Sequence, residues 1–179
     1  MVLLVVLVVV LLFVVVGVLA SRRAERRRVW PGPVPAPPAP DVPQPWQALR
    51  DRIAAALPAL PVGATLVVSD DGTESHLYVR FQHLGDVMTV DASGSQAWGG
   101  PWPVEPAQDE RMHELGWQRP ADREGAFDRT QDYRLDVALG EPGTGLDATL
   151  AATLAAHGVV ALATLGGAPE HAWQWEQYA

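Results

Sequence analysis

The sequence predicts an α+β domain, an antiparallel sheet of three to five strands with helices packed on one face, preceded by one transmembrane helix and a Pro-rich linker. Three observations carry this reading. Residues 2–20 are uncharged and almost wholly aliphatic. Eight prolines crowd into residues 29–45. After them a stripe of helical period gives way to segments that alternate at period two. The expected divisions are a transmembrane helix at 1–21, a basic collar at 22–28, the linker at 29–45, the domain at 46–168 and a C-terminal tail at 169–179.

Residues 2–20 hold ten valines, six leucines, Phe13, Gly17 and Ala20. About 20 helical residues span roughly 30 Å, the hydrocarbon thickness of a bilayer. A secretory signal would need a positive segment before a shorter apolar run. Val18-Leu19-Ala20 resembles a small-residue cleavage site, but no side-chain charge precedes this run, and the run is too long. The arginines of "SRRAERRR" follow the span directly. Positive residues stay cytoplasmic, so the expected protein is single-pass in the cell membrane, with its soluble domain in the cytoplasm. The collar is read as a stop signal that can also meet anionic headgroups.

The linker "VWPGPVPAPPAPDVPQP" cannot form a helix or a central strand, because proline fixes φ and removes a donor. A polyproline II spacer follows, reaching up to roughly 50 Å from the membrane at about 3.1 Å per residue. A PxxP ligand for an aromatic groove is the other reading of the same residues.

Charge is partitioned sharply. Residues 1–40 carry +4, whereas residues 41–179 carry −12, within a total of −8. A domain this acidic repels phosphate backbones, so no nucleic-acid partner is expected. The chain has no cysteine, which excludes disulfides, thiolate metal sites and cysteine nucleophiles.

In the domain, Trp46, Leu49, Ile53, Leu57 and Leu60 recur at three- and four-residue steps, one face of a helix that Pro58 and Pro61 close. Gly63 starts the extended run "ATLVVS", and "DDG" turns it. In "HLYVRFQ", Leu77, Val79 and Phe81 point one way, and His76, Tyr78, Arg80 and Gln82 the other. "VMTVDA" is a third strand with Met88 and Val90 on one face. "SGSQAWGGPWPVEP" reads as a loop. A second helix starts at Pro106, with Asp109 and Glu110 in its favourable first turns and Met112 and Leu115 inward. "HELGWQRP" is then a helix stop: Gly116 takes the left-handed cap, Trp117 folds back on the apolar side, and Pro120 prevents resumption. "YRLDVAL" alternates as a strand. Asp147 caps a last, alanine-rich helix that His157-Gly158 ends or bends. Extended, the tail would put Trp173 and Trp175 on one side.

These pieces in this order resemble the TY-Chap family of high-GC actinobacteria, whose fold is that of type III secretion chaperones and YbjN-like proteins. Trp46, Tyr78, Val79, Phe81, Leu115, Gly116, Trp117 and Pro120 carry the resemblance, over residues 46 to about 168. The chain departs from the pattern after Pro120, where "GAFDRTQDYRLDVAL" replaces the tryptophan-rich stretch expected of the family. The resemblance implies an α+β sandwich. It also implies a small acidic protein, often a homodimer, that holds extended client segments in hydrophobic grooves.

Constellations for chemistry are sparse. Glu110 and His113 have the Glu-x-x-His spacing of di-iron helices, but such sites need two such pairs and two further glutamates. A solvated helix face explains the single pair. His76 and His83, seven residues apart, face opposite sides of a straight strand. A turn accounts for Ser69-Asp70-Asp71-Gly72. Asp109, Glu110 and Glu114 carry no sign of the burial that tunes an acid or base. No Gly-rich phosphate loop or nucleophile elbow is present. No cofactor or metal is expected. Trp98 and Trp102 in "WGGPW", with Tyr78 and Arg80, are the candidates for contact with a peptide, the alternative for the tryptophans being lids on the core. The expected function is a membrane-anchored, non-catalytic protein- or peptide-binding module. A membrane-tethered adapter for a folded partner is the alternative, and a small metal-dependent enzyme the third reading.

Overall fold

The structure is a computed structural model that describes residues 34–70, 77–95, 103–119, 132–140 and 146–179. The transmembrane helix, the collar, His76, Trp98 and Trp102 lie outside the described residues. Among those described, no helix is long and apolar enough to cross a membrane.

Five strands form one antiparallel sheet: β1 (Thr65–Asp70), β2 (Tyr78–His83), β3 (Val87–Ala92), β4 (Tyr133–Ala138) and β5 (Trp173–Tyr178), in the order β4-β3-β2-β1-β5. Three helices accompany it: α1 (Gln47–Ala56), α2 (Pro106–Glu114) and α3 (Ala148–Thr164). The expected sheet of three to five strands therefore has five among the described residues. The fifth strand is the tail, which pairs with β1 through Thr65↔Tyr178 to Asp70↔Trp173.

Register sorts the side chains into two faces. Leu66, Val68, Val79, Phe81, Met88, Val90, Tyr133, Leu135 and Val137 share the helix-covered face and are buried. Each such side chain contributes about 1.5–3 kcal/mol when fully buried. From α1 and its flanks, Trp46, Ile53, Leu57 and Leu60 close over them, with Leu49 packed at the margin. The opposite face presents Tyr78, Arg80, Thr89, Asp91, Ser93, Arg134 and Asp136.

Helix α3 is the centre of the core. Asp147 Oδ1 accepts from the Leu150 amide at 2.7 Å, the cap read from the sequence. His157-Gly158, however, does not end the helix, which continues to Thr164. Gly158 faces the sheet instead, where a Cβ would stand 2.7 Å from Phe81 Cζ and 3.2 Å from a Val79 methyl. Glycine here serves close approach, not termination. The helix ends at Gly166, with φ of +95° and the Gly167 amide reaching back to the Leu162 carbonyl.

Helix α2 ends the same way. Gly116 has φ of +88°, its amide bonds the His113 carbonyl at 2.9 Å, and the Trp117 amide bonds the Met112 carbonyl at 3.1 Å. That is the Schellman pair of bonds, and Trp117 is buried beyond it. Gln118 then hydrogen-bonds both ways with the backbone of Arg134, so the stop signal also docks the chain on the outer edge of β4. At the start of α2, the Glu105 amide donates to Gln108 Oε1 at 2.8 Å, and Gln108 Nε2 donates to the Thr164 carbonyl at 2.8 Å, fastening α2 to the end of α3.

Gly158→Ala tests which effect wins in α3. Helix propensity favours alanine by about 1 kcal/mol. Overpacking a rigid core costs about 1–3 kcal/mol. Because the obstructing atom is on the ring of fully buried Phe81, the clash dominates, and urea denaturation is expected to show a loss of about 1–2 kcal/mol.

Candidate functional site

Two regions concentrate polar or accessible chemistry. The first is the charged face of the sheet. Cross-strand register brings Arg80, Asp91 and Arg134 side by side on β2, β3 and β4. Asp91 is fully buried, at 0 % exposure, and accepts on both oxygens. Arg80 donates to Oδ2 from Nε at 3.1 Å and from Nη2 at 2.7 Å, and Arg134 Nε donates to Oδ1 at 2.9 Å. Asp132 lies 4.0 Å from Arg80 Nη2 and accepts from the Tyr78 hydroxyl. Burial first, then that hydrogen bond and the neighbouring carboxylates, push the Tyr78 hydroxyl far above its ordinary pKa, so it stays a donor. Burial likewise raises the Asp132 carboxyl, against the pull of Tyr78 and Arg80. Ser93 Oγ accepts from the Tyr78 amide at 2.7 Å, and Thr89 Oγ1 donates to Asp136 at 2.7 Å.

Thus two of the expected peptide contacts, Tyr78 and Arg80, come together as parts of a charge-compensated lattice. Trp98 and Trp102 are not among the described residues. The remaining sequence candidates are dispersed. Glu110 pairs with Arg119 at 2.9 Å, and His113 is exposed in the last turn of α2. His83 Nδ1 donates to the Leu60 carbonyl at 2.8 Å. Ser69 and Asp70 belong to β1, not to a turn. Asp109 accepts from the Tyr133 hydroxyl at 2.8 Å and pairs with Arg119 at 2.9 Å. Among the described residues no group of three or more histidines and carboxylates could hold a metal ion.

The second region was not foreseen. Its prolines predict a spacer or a PxxP ligand through Pro45, yet from Val34 onward the linker is docked on its own domain. The Val34 amide donates to the Asp136 carbonyl at 3.3 Å, and the Ala138 amide donates to the Val34 carbonyl at 3.0 Å, a parallel bridge on the outer edge of β4. Pro37 lies over Gly116, where a Cβ would stand 3.4 Å from Pro37 Cγ. Ala36 and Val42 pack against the core, and Gln47 Nε2 donates to the Val42 carbonyl at 2.9 Å. Polyproline II makes no internal hydrogen bonds, so its carbonyls are free to be used this way.

Beneath this strap lies His157, 1 % exposed. The Pro37 and Pro38 carbonyls are near enough to favour its protonated form, but neither ring nitrogen closes a hydrogen bond. Burial outweighs the carbonyls and lowers the pKa. Beside the strap runs an open groove of 610 Å³, lined by Ala39, Asp41, Arg50, Thr149, Ala152 and Ala156 among others. Small side chains at steps of four on α3 leave its floor low.

Comparison with known families decides the assignment: residues 39–173 match the family model TY-Chap3, described as T3SS (YopN, CesT) and YbjN peptide-binding chaperone 3. The chain belongs to the TY-Chap3 family. No curated protein and no solved structure matches the chain. The TY-Chap3 match takes in the helix stop, the charged lattice, β4 and His157, and begins only after the part of the strap that bridges β4.

Two measurements probe this TY-Chap3 site. Asp91→Asn leaves Arg80 and Arg134 facing each other without their anion, and the expected cost in a denaturant melt is about 3 kcal/mol. His157 gives a pH dependence. Its neutral form is favoured in the fold, while the unfolded chain takes up a proton at the ordinary 6.5. The unfolded state therefore binds more protons below that pH, and stability is full above it and falls as the pH drops through it. Melting curves between pH 7.5 and about 5 are expected to slope less in His157→Gln than in the native chain.

Proposed function

We propose that this protein is a membrane-anchored, non-catalytic peptide-binding module whose domain faces the cytoplasm. One observation carries the peptide-binding part: a family model described as a peptide-binding chaperone spans residues 39–173. The groove beside α3 suits such a ligand. Its floor of Ala148, Ala152 and Ala156, flanked by Thr149 and Thr153, lets an extended backbone come close, and Asp41 sits at its wall with Arg50, which pairs with Asp51 at 2.7 Å and donates to Gln47 at 2.6 Å. We assign the client to this groove in preference to Tyr78 and Arg80, whose polar groups are already paired. Trp98 and Trp102 are proposed as further aromatic contacts. The anchoring rests on the apolar run at 2–20, and the orientation on the arginines that follow it.

Ala152 is only partly buried, so Ala152→Arg can fill the groove without disturbing the core. Fluorescence anisotropy with labelled extended apolar peptides is expected to show binding that this variant weakens about tenfold or more, equivalent to about 1.4 kcal/mol. An unchanged affinity would move the client elsewhere. Crosslinking in cells with mass spectrometry is expected to recover many extended segments, and recovery of one folded partner alone would favour an adapter. A reporter fused to the C-terminus is expected to report a cytoplasmic domain.

A further inference from the structure

We propose that Val34–Pro38 is a resident occupant of the client seat: a segment of the chain itself, held in cis, that an extended client displaces. The proposal deepens the peptide-binding reading and rests on it. The argument begins with how the strap is held. Its bridge to β4 consists of one donated and one accepted backbone bond at Val34, the pair that any extended residue can make. Pro35, Pro37 and Pro38 have no amide to give, so the strap engages the edge through fewer backbone bonds than a client with ordinary residues would. Recognition through backbone groups along a sheet edge is sequence-tolerant, as a chaperone requires.

The seat is also imperfectly filled. His157 is buried beneath Pro37 and Pro38, whose carbonyls approach its ring without closing a well-formed hydrogen bond. A client that presents a hydrogen-bonding side chain or an amide at that point completes what the prolines leave open. Occupant and seat also fall on different sides of the boundary of the family match. Gly116, Val137 and His157, which form the seat, fall inside the family match, whereas Val34–Pro38 falls outside it. The strap joins the groove without a break, because Ala39–Val42 line the groove's wall. Lifting Val34–Pro38 would therefore extend the groove to the edge of β4, giving one path for an extended peptide of mixed apolar and proline content. Bound clients and the docked strap are mutually exclusive at that edge. The apparent affinity for a client is reduced by the fraction of molecules whose strap is docked.

The native chain has no cysteine, which makes a reversible lock simple. Val34 and Val137 are bridge partners, and strand neighbours lie about 4.8 Å apart, within reach of a disulfide. The experiment uses the full chain in detergent micelles, as wild type, as Val34→Cys with Val137→Cys, and as Val34→Pro, which deletes the donor to Asp136. Two labelled probes are titrated by anisotropy: a synthetic peptide of residues 33–43, and an unrelated extended apolar peptide. The oxidised double variant is expected to refuse both probes and to recover wild-type binding on reduction. Val34→Pro is expected to bind both about fivefold more tightly, the equivalent of one backbone hydrogen bond. Equal binding by oxidised, reduced and Val34→Pro chains would overturn the strap's role while leaving the peptide-binding reading intact. Failure of every form to bind either probe would overturn both.

Discussion

The depth at which α3 lies against the sheet governs the rest of the structure. A helix of mostly alanine, valine and leucine offers shallow ridges, and Gly158 removes the one Cβ that would hold it away from Phe81. With the helix that low, both α1 and an extended strap can lie against it. Close approach is enforced by packing, because interiors have the density of crystals and a methyl-sized obstruction moves whole elements. The two Schellman stops then fix the ends of the frame. One ends α3 at Gly166; the other ends α2 at Gly116 and hands the chain to β4.

The sheet's second face solves a different problem. Buried charge is costly unless paired, and Asp91 is fully buried. Its two arginines are supplied by the neighbouring strands on either side, so the lattice forms only in the correct register of β2, β3 and β4. A slip of one residue would send Arg80 and Arg134 to the apolar face and bring Val79 or Phe81 out. The lattice therefore specifies register more than it adds net stability, in keeping with the small or negative net value of buried ion pairs relative to apolar replacements. Tyr78 and Arg80, singled out in the sequence for their outward alternation, are members of this device. Their partners, Asp91 and Asp132, lie 11 residues from Arg80 and far along the chain, and nothing in local pattern announces them.

Much of the fold was legible because its signals are local. Pro106, Asp147 and the Gly116-Trp117 stop act within one helical turn, and period-two alternation marks β2 without knowledge of its neighbours. What escaped was what depends on partners. Gly158 reads as a breaker until Phe81 is seen beneath it, where tertiary packing overrides propensity. The tail alternates through Trp173 and Trp175, but only pairing with β1 makes it a strand. The docked linker was the least legible of all. Polyproline sequence specifies a conformation without specifying whether that conformation is solvated or seated, and the candidate site was hidden for that reason.

The outer edge of β4 carries two unequal covers, and the inequality bears on function. Exposed strand edges invite pairing with other chains, and proteins blunt them with bulges, charges or covers. On β4 the outer edge is covered twice, by Gln118 after the helix stop and by Val34 from the linker. Gln118 is fixed by the buried Trp117 beside it, so its cover is as permanent as the core. Val34 is 41 % exposed and is held by two backbone bonds, and Pro35 after it has no amide to add a third. The same edge thus carries one cover built to stay and one held weakly. If protection alone were needed, a strand with its full complement of donors would cover the edge better than a row of prolines. A weak cover is the form expected where the edge must be exchanged between the chain and something else, since a ligand can shift an equilibrium only by its differential affinity for the two states.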